Sequence, residues 1–132
     1  MKYMLMMHAP RGTGVYQITE WAPEAIQAHM EHMHAINREL TAAGERVDAQ
    51  GLTPPGQARL VRAGTDGMPV TDGPFAETKE FLVGYWVVDV DSPERAYAIA
   101  ARASAAPGPD GAPLNMPIEV RQVMSAPLPP EA

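Results

Sequence analysis

The 132-residue chain has no cysteine, which excludes a disulfide scaffold, a thiolate zinc site and a cysteine nucleophile, and fits a reducing cytoplasm. No apolar run approaches the roughly 20 residues needed to span a bilayer. The opening MKYMLMMHAP is too short in its apolar part and too weakly charged for a signal peptide, and it suits a first strand better. Ten basic residues are scattered among sixteen acidic ones, for a net charge of −6. A phosphate-binding face needs a dense basic stripe, so nucleic acid and anionic membrane surfaces are disfavoured as partners. Also missing are a GxSxG elbow, an HExxH zinc motif, a phosphate loop and a dinucleotide fingerprint. What remains is a cytoplasmic domain with no cofactor and no metal. Its partner is a small neutral or cationic ligand, or another protein.

The length fits one domain, spanning residues 1–124, with a disordered Pro-rich tail at 125–132 (SAPLPPEA covers its length). Residues 2–7 are apolar at nearly every position and read as a strand buried on both faces. Residues 8–22 are broken by Pro, Gly and Thr and read as loop. Pro23-Glu24 opens a helix that runs to about Ala43 and stops at Gly44. Ile26, His29, Met30, Met33, Ile36, Leu40 and Ala43 share one of its faces, while Glu31, Arg38 and Glu39 take the other. A short strand at 45–50, a second at 58–62, a Gly64–Gly67 turn and a returning stretch at 68–71 follow. Residues 80–90 form the central strand. Ser92-Pro93-Glu94 starts a second helix carrying Ala96, Tyr97, Ile99, Ala100 and Ala103. Residues 117–124 alternate with period 2 and close the domain as a half-exposed strand.

This order, β-α-β-β-α-β with a small inserted hairpin, is the split βαβ arrangement: an α+β, ferredoxin-like antiparallel sheet with helices on one face. Leu5, Val83, Tyr85, Trp86, Val87 and Val88 put apolar side chains on both sheet faces. One helix layer covers only one of them. A homodimer that hides the other is therefore expected.

One stretch combines turn chemistry with ionisable groups: VTDGPFAETKE, residues 70–80, directly before the central strand. Asp-Gly-Pro favours a tight turn, and polar groups on a loop beside a rigid strand are what a binding site needs. Together with Gly84-Tyr85-Trp86, Ile36-Asn37-Arg38-Glu39-Leu40, Ala43-Gly44, Gly51-Leu52, Pro54 and the closing Ile118–Val123 segment, this block resembles the DGPF-containing branch of the YCII-related family. The likeness covers Met1 to about Val123. It implies a ferredoxin-like fold that dimerises as a dimeric α/β barrel, with a cleft between sheet and helices. Most members are uncharacterised, and a few relatives are associated with small-molecule degradation, including lyase-type removal of halide from aromatic rings. The family's His and carboxylate pair falls here on His34 and on Glu45, where the family has Asp, with Asp48 as a near alternative.

From the residues themselves, His34 is the candidate acid–base group, because imidazole titrates near neutrality and a carboxylate would orient it. Asp72 is its candidate partner if the DGPF loop closes over the helix end. Capping its own turn is the plainer role for Asp72. Glu77, Lys79 and Glu80 either pair in solvent or form a buried network that shapes the cleft. Phe75 and Trp86 are packing anchors that also suit a ligand wall, and Tyr85 places a hydroxyl toward the cleft. His29 faces the core side of its helix. The functional expectation is a small polar or aromatic molecule bound near the dimer interface, acted on by cofactor-free acid–base chemistry. The alternative is a non-catalytic ligand-binding or interaction module in which the DGPF loop is structural.

Overall fold

A computed structural model describes residues 1–10, 18–72 and 80–124. Its elements are β1 (Lys2–Pro10), α1 (Pro23–Ala42), β2 (Arg46–Gly51), β3 (Leu60–Ala63), β4 (Pro69–Asp72), β5 (Glu80–Asp89), α2 (Pro93–Ser104) and β6 (Ile118–Gln122). Four strands form one sheet in the order β2-β5-β1-β6, with every neighbouring pair antiparallel. β3 and β4 pair separately as a ribbon. This is the ferredoxin-like α+β arrangement that the sequence order implies.

Local chemistry sets the element ends. Gly44 adopts φ +71° just past α1, a conformation that costs side-chain-bearing residues more than glycine. Its N–H reaches Thr41 O at 3.1 Å, and the next N–H, from Glu45, reaches Leu40 O at 2.8 Å. Two orphan carbonyls of the last turn are thereby satisfied. α2 starts as its sequence dictates: Ser92 Oγ accepts the Arg95 N–H at 3.2 Å, with Pro93 at the first turn.

The core lies between the sheet and both helices. Leu5, Ile36, Leu40 and Val88 are its largest fully buried side chains. Met33 from α1 and Ala96, Ile99, Ala100 and Ala103 from α2 pack with them. The composition of β1 implies burial on both faces, and the structure corrects this. Tyr3, Leu5, Met7 and Ala9 are buried, while Met4, Met6 and His8 between them are only half-buried. The reason is that the helices cover one sheet face alone. On β5, Tyr85 and Val87 share the uncovered face with Met4 and Met6, their cross-strand partners. Tyr97 of α2 is 55% exposed.

The β1–β5 ladder is interrupted once. Met7 pairs with Gly84 but His8 pairs with Leu82, so Val83 is an extra residue on β5.

Candidate functional site

A cavity of about 620 Å³ opens between the sheet and α1, within the size range of small-molecule sites. Its floor is Met7 and Ala9 of β1 with Val83, Gly84 and Trp86 of β5. α1 supplies His29, Met30, Met33, His34 and Asn37, the end of β2 and the segment after it supply residues 49–54, and Leu114 and Met116 come from the segment before β6. Ile18 and Trp21, in the short turn ahead of α1, complete the described wall. Space exists on the floor partly because residue 84 has no side chain. A Cβ there would already stand 3.3 Å from Gln50 O. No Asp, Glu, Lys or Arg is among the described lining residues.

The three α1 histidines have separate environments. His29 is 7% exposed, and its Nδ1 lies 3.0 Å from Pro107 O. A carbonyl only accepts, so Nδ1 carries the proton and donates it, leaving the Nε2 lone pair open. Burial pushes the His29 pKa below its ordinary value, with the Pro107 carbonyl opposing and His32 reinforcing the effect. The ring is therefore neutral near neutral pH. His32 Nε2 lies 2.8 Å from Arg102 O and ties α1 to α2. His34 is exposed, lines the cavity rim and makes no hydrogen bond or ion pair among the described residues.

Two tryptophans line the cavity and differ in one respect. Trp86 is 6% exposed, and its Nε1–H donates to Asn37 Oδ1 at 2.8 Å. This fixes the Asn37 amide so that Nδ2 is its remaining donor group. Trp21 is 8% exposed, and its Nε1–H finds no acceptor among the described residues. Its ring meets the His29 ring edge-on, with centroids 5.4 Å apart and planes at 85°.

The carboxylates of interest lie outside the cavity lining. Glu45 is held by Arg95 through two hydrogen bonds, 2.9 Å from Nε and 2.8 Å from Nη2. The guanidinium holds the Glu45 carboxyl below its ordinary value. Asp48 accepts the Tyr85 hydroxyl at 3.0 Å, the Ala49 N–H at 2.9 Å and Gln50 Nε2 at 3.2 Å. The Tyr85 bond comes first among the causes that lower the Asp48 carboxyl, and the same bond raises the Tyr85 phenol. Tyr85 also touches the cavity. Glu80 is exposed at the start of β5. Asp72 closes β4; its side chain, together with Phe75, Glu77 and Lys79, lies outside the described residues.

The structure thus brings His29, His34 and Trp86 to one cavity and sets Glu45 and Asp48 elsewhere; Tyr85 only borders the cavity, because its hydroxyl, expected toward the cleft, is turned to Asp48 on the uncovered sheet face. Three contributors escape the sequence reading: Trp21, Asn37 and the Pro107 carbonyl. Trp21 carried one usable signal. It is a large aromatic immediately before the helix N-cap, a position that commonly folds back on the first turns. Asn37 and Pro107 carried none, because their roles depend on long-range contacts.

Among the described residues no helix is long and apolar enough to cross a membrane. Over 80 residues the chain is 34% identical to an uncharacterised protein of Rhizobium meliloti (strain 1021), a match covering 61% of this chain and 64% of that protein. The YCII-related domain matches residues 1–109. With that match over most of its length, and the sheet and helix order in agreement, the chain belongs to the YCII-related family.

Proposed function

We propose that the cavity between sheet and α1 binds a small molecule with a mainly apolar body, and that His34 at its rim supplies the proton-transfer group. The single observation that carries this reading is the cavity: apolar walls, a ligand-sized volume of about 620 Å³ and a few polar side chains converging on it. His34 is the one α1 histidine not committed to a backbone carbonyl among the described residues. It is therefore free to exchange a proton with a bound molecule. Asp72, at the end of β4, is proposed as the carboxylate that orients it.

We also propose that two copies meet across the uncovered sheet face. Met4, Met6, Tyr85 and Val87 give that face an apolar stripe with no helix layer over it. A non-catalytic binding role is the second reading. It is favoured by one observation: no carboxylate contacts His34 among the described residues.

Native mass spectrometry of the purified protein tests the first reading. A co-purified small molecule that is lost when Met33→Trp fills the cavity supports it. A protein that carries nothing, and whose Trp86 indole signal ignores small apolar probes, overturns it. Once a turnover is found, His34→Ala removes it while binding survives. Unchanged turnover assigns the chemistry elsewhere.

A further inference from the structure

Two glycines stand side by side in the floor of the cavity. Gly84 of β5 pairs with Gly51 of β2 on one side and with buried Met7 of β1 on the other. Residues directly opposite each other in a sheet share a face, so this row is turned toward the helices with Met7. The row beside it, Leu5, Trp86 and Ala49, shares that face. On the half of the floor formed by β2 and β5, the sheet therefore carries Gly51, Gly84 and Ala49, with Trp86 as the one large side chain.

The packing of the chain itself does not demand this emptiness. A Cβ on Gly51 would meet nothing within 4 Å among the described residues, and one on Gly84 would meet only β2 backbone, Gln50 O at 3.3 Å and Gly51 Cα at 3.8 Å. Neither glycine has a positive φ. The ladder irregularity beside Val83 lies between β5 and β1 and does not involve Gly51. Glycine inside a strand weakens it, and close approach of a ligand is one of the few purposes it serves there.

The floor so formed is bare peptide, whose groups run in the plane of the sheet and turn flat faces to the cavity. Trp86 stands beside it, its ring held by the Nε1–H bond to Asn37 at 2.8 Å. Met30 and Met33 line the cavity from α1, and thioethers make favourable contacts with aromatic rings. A flat ring can touch floor and methionines together, whereas a puckered ring stands off the peptides and loses part of that contact. A charged ligand would lose hydration without gaining a counter-charge, since the described lining has no Asp, Glu, Lys or Arg.

We propose that Gly51 and Gly84 are specificity-determining residues of this cavity, and that their bare floor selects a flat, uncharged ring. This rests on the cavity being a binding site and adds to it the class of molecule bound. His34 remains the group proposed for proton transfer.

The test compares toluene with methylcyclohexane, which share a carbon skeleton and differ in flatness. The chain has two tryptophans, and the indole N–H signals of a nitrogen-correlated spectrum report binding beside Trp86. Toluene is expected to bind about 3-fold more tightly, although methylcyclohexane is the more hydrophobic of the two. In Gly51→Val the added methyl groups enter open space, and toluene affinity is expected to fall about 10-fold or more while the far-ultraviolet circular dichroism stays that of the parent. Equal or tighter binding of methylcyclohexane to the unmodified protein overturns the selection and leaves a general apolar cavity. Undiminished toluene binding in a folded Gly51→Val places the ring away from the glycines and overturns their role. Should neither probe disturb either indole signal, the binding reading itself fails and the glycine floor with it. If Gly51→Val does not fold, the smaller Gly51→Ala and the unmodified protein decide the matter.

Discussion

The indole N–H of Trp86 and the side-chain oxygen of Asn37 are joined at 2.8 Å, pinning the central strand to the first helix through a polar contact inside the core. Removing the acceptor leaves a buried donor unmet, and that penalty exceeds the net worth of the bond. Asn37→Leu is expected to lower stability by about 1–3 kcal/mol in denaturant unfolding. Trp86→Phe in the Asn37→Leu background should then cost less than it does alone. Strict additivity of the two changes would show that the contact is not formed in solution.

Glu45 and Arg95 join the end of α1 to the start of α2, with two short hydrogen bonds. Arg95 is close to half exposed, so solvent screens the pair, and Glu45→Gln is expected to cost about 0.5–1 kcal/mol near neutral pH. The sign of the pH effect follows from the lowered carboxyl. The contribution is present above the ordinary glutamate value of 4.5 and is lost as pH falls through the lower folded value. Wild type should lose stability over that acid range faster than Glu45→Gln, and parallel curves would contradict the pairing.

Burial keeps His29 neutral and lowers its pKa. The unfolded chain takes up that proton first, so stability declines as pH falls from the ordinary histidine value of 6.5 toward the lower folded one. His29→Gln should flatten this part of the stability profile. Histidine proton resonances titrated in the folded protein provide the direct check: one ring should titrate below the ordinary value.

Tyr85 and Asp48 offer a spectroscopic test on β5 and β2. Because its hydroxyl donates to the carboxylate, the phenol titrates above its ordinary value of 10. Asp48→Asn is expected to bring one tyrosine of the ultraviolet titration back down. A titration indistinguishable from wild type would place the hydroxyl elsewhere.

Gly44 tests backbone rather than side-chain physics. A methyl group there meets nothing within 4 Å, so Gly44→Ala measures the left-handed conformation alone. About 1 kcal/mol of destabilisation is expected, with Gly44→Asn milder because asparagine tolerates that region better.

Much of the architecture was legible because its signals are local. Pro23, Gly44, Ser92 and Pro93 mark helix ends by backbone chemistry that needs no partner. The 3.6-residue spacing of His29, Met33, Ile36 and Leu40 identifies the buried stripe of α1. Tyr97 stays exposed because α2 buries a narrow stripe of alanines and Ile99, and the tyrosine falls beyond its edge. At the site, His29, His34, Tyr85 and Trp86 were found as residue types with chemistry. Trp21 was hidden within a stretch that reads only as loop. Its meaning lies in what it fails to touch, and no periodicity encodes that.

The extra residue Val83 has a consequence for how one strand addresses two environments. From Gly84 to Val88 the even-numbered positions of β5 face the helices; before the irregularity, Phe81 takes the place opposite buried Ala9. The strand therefore changes phase along its length, so odd-numbered Phe81 takes the same side of the sheet as even-numbered Trp86 and Val88. Shortening the strand by a single residue there would restore even pairing and exchange the inward and outward positions at its start.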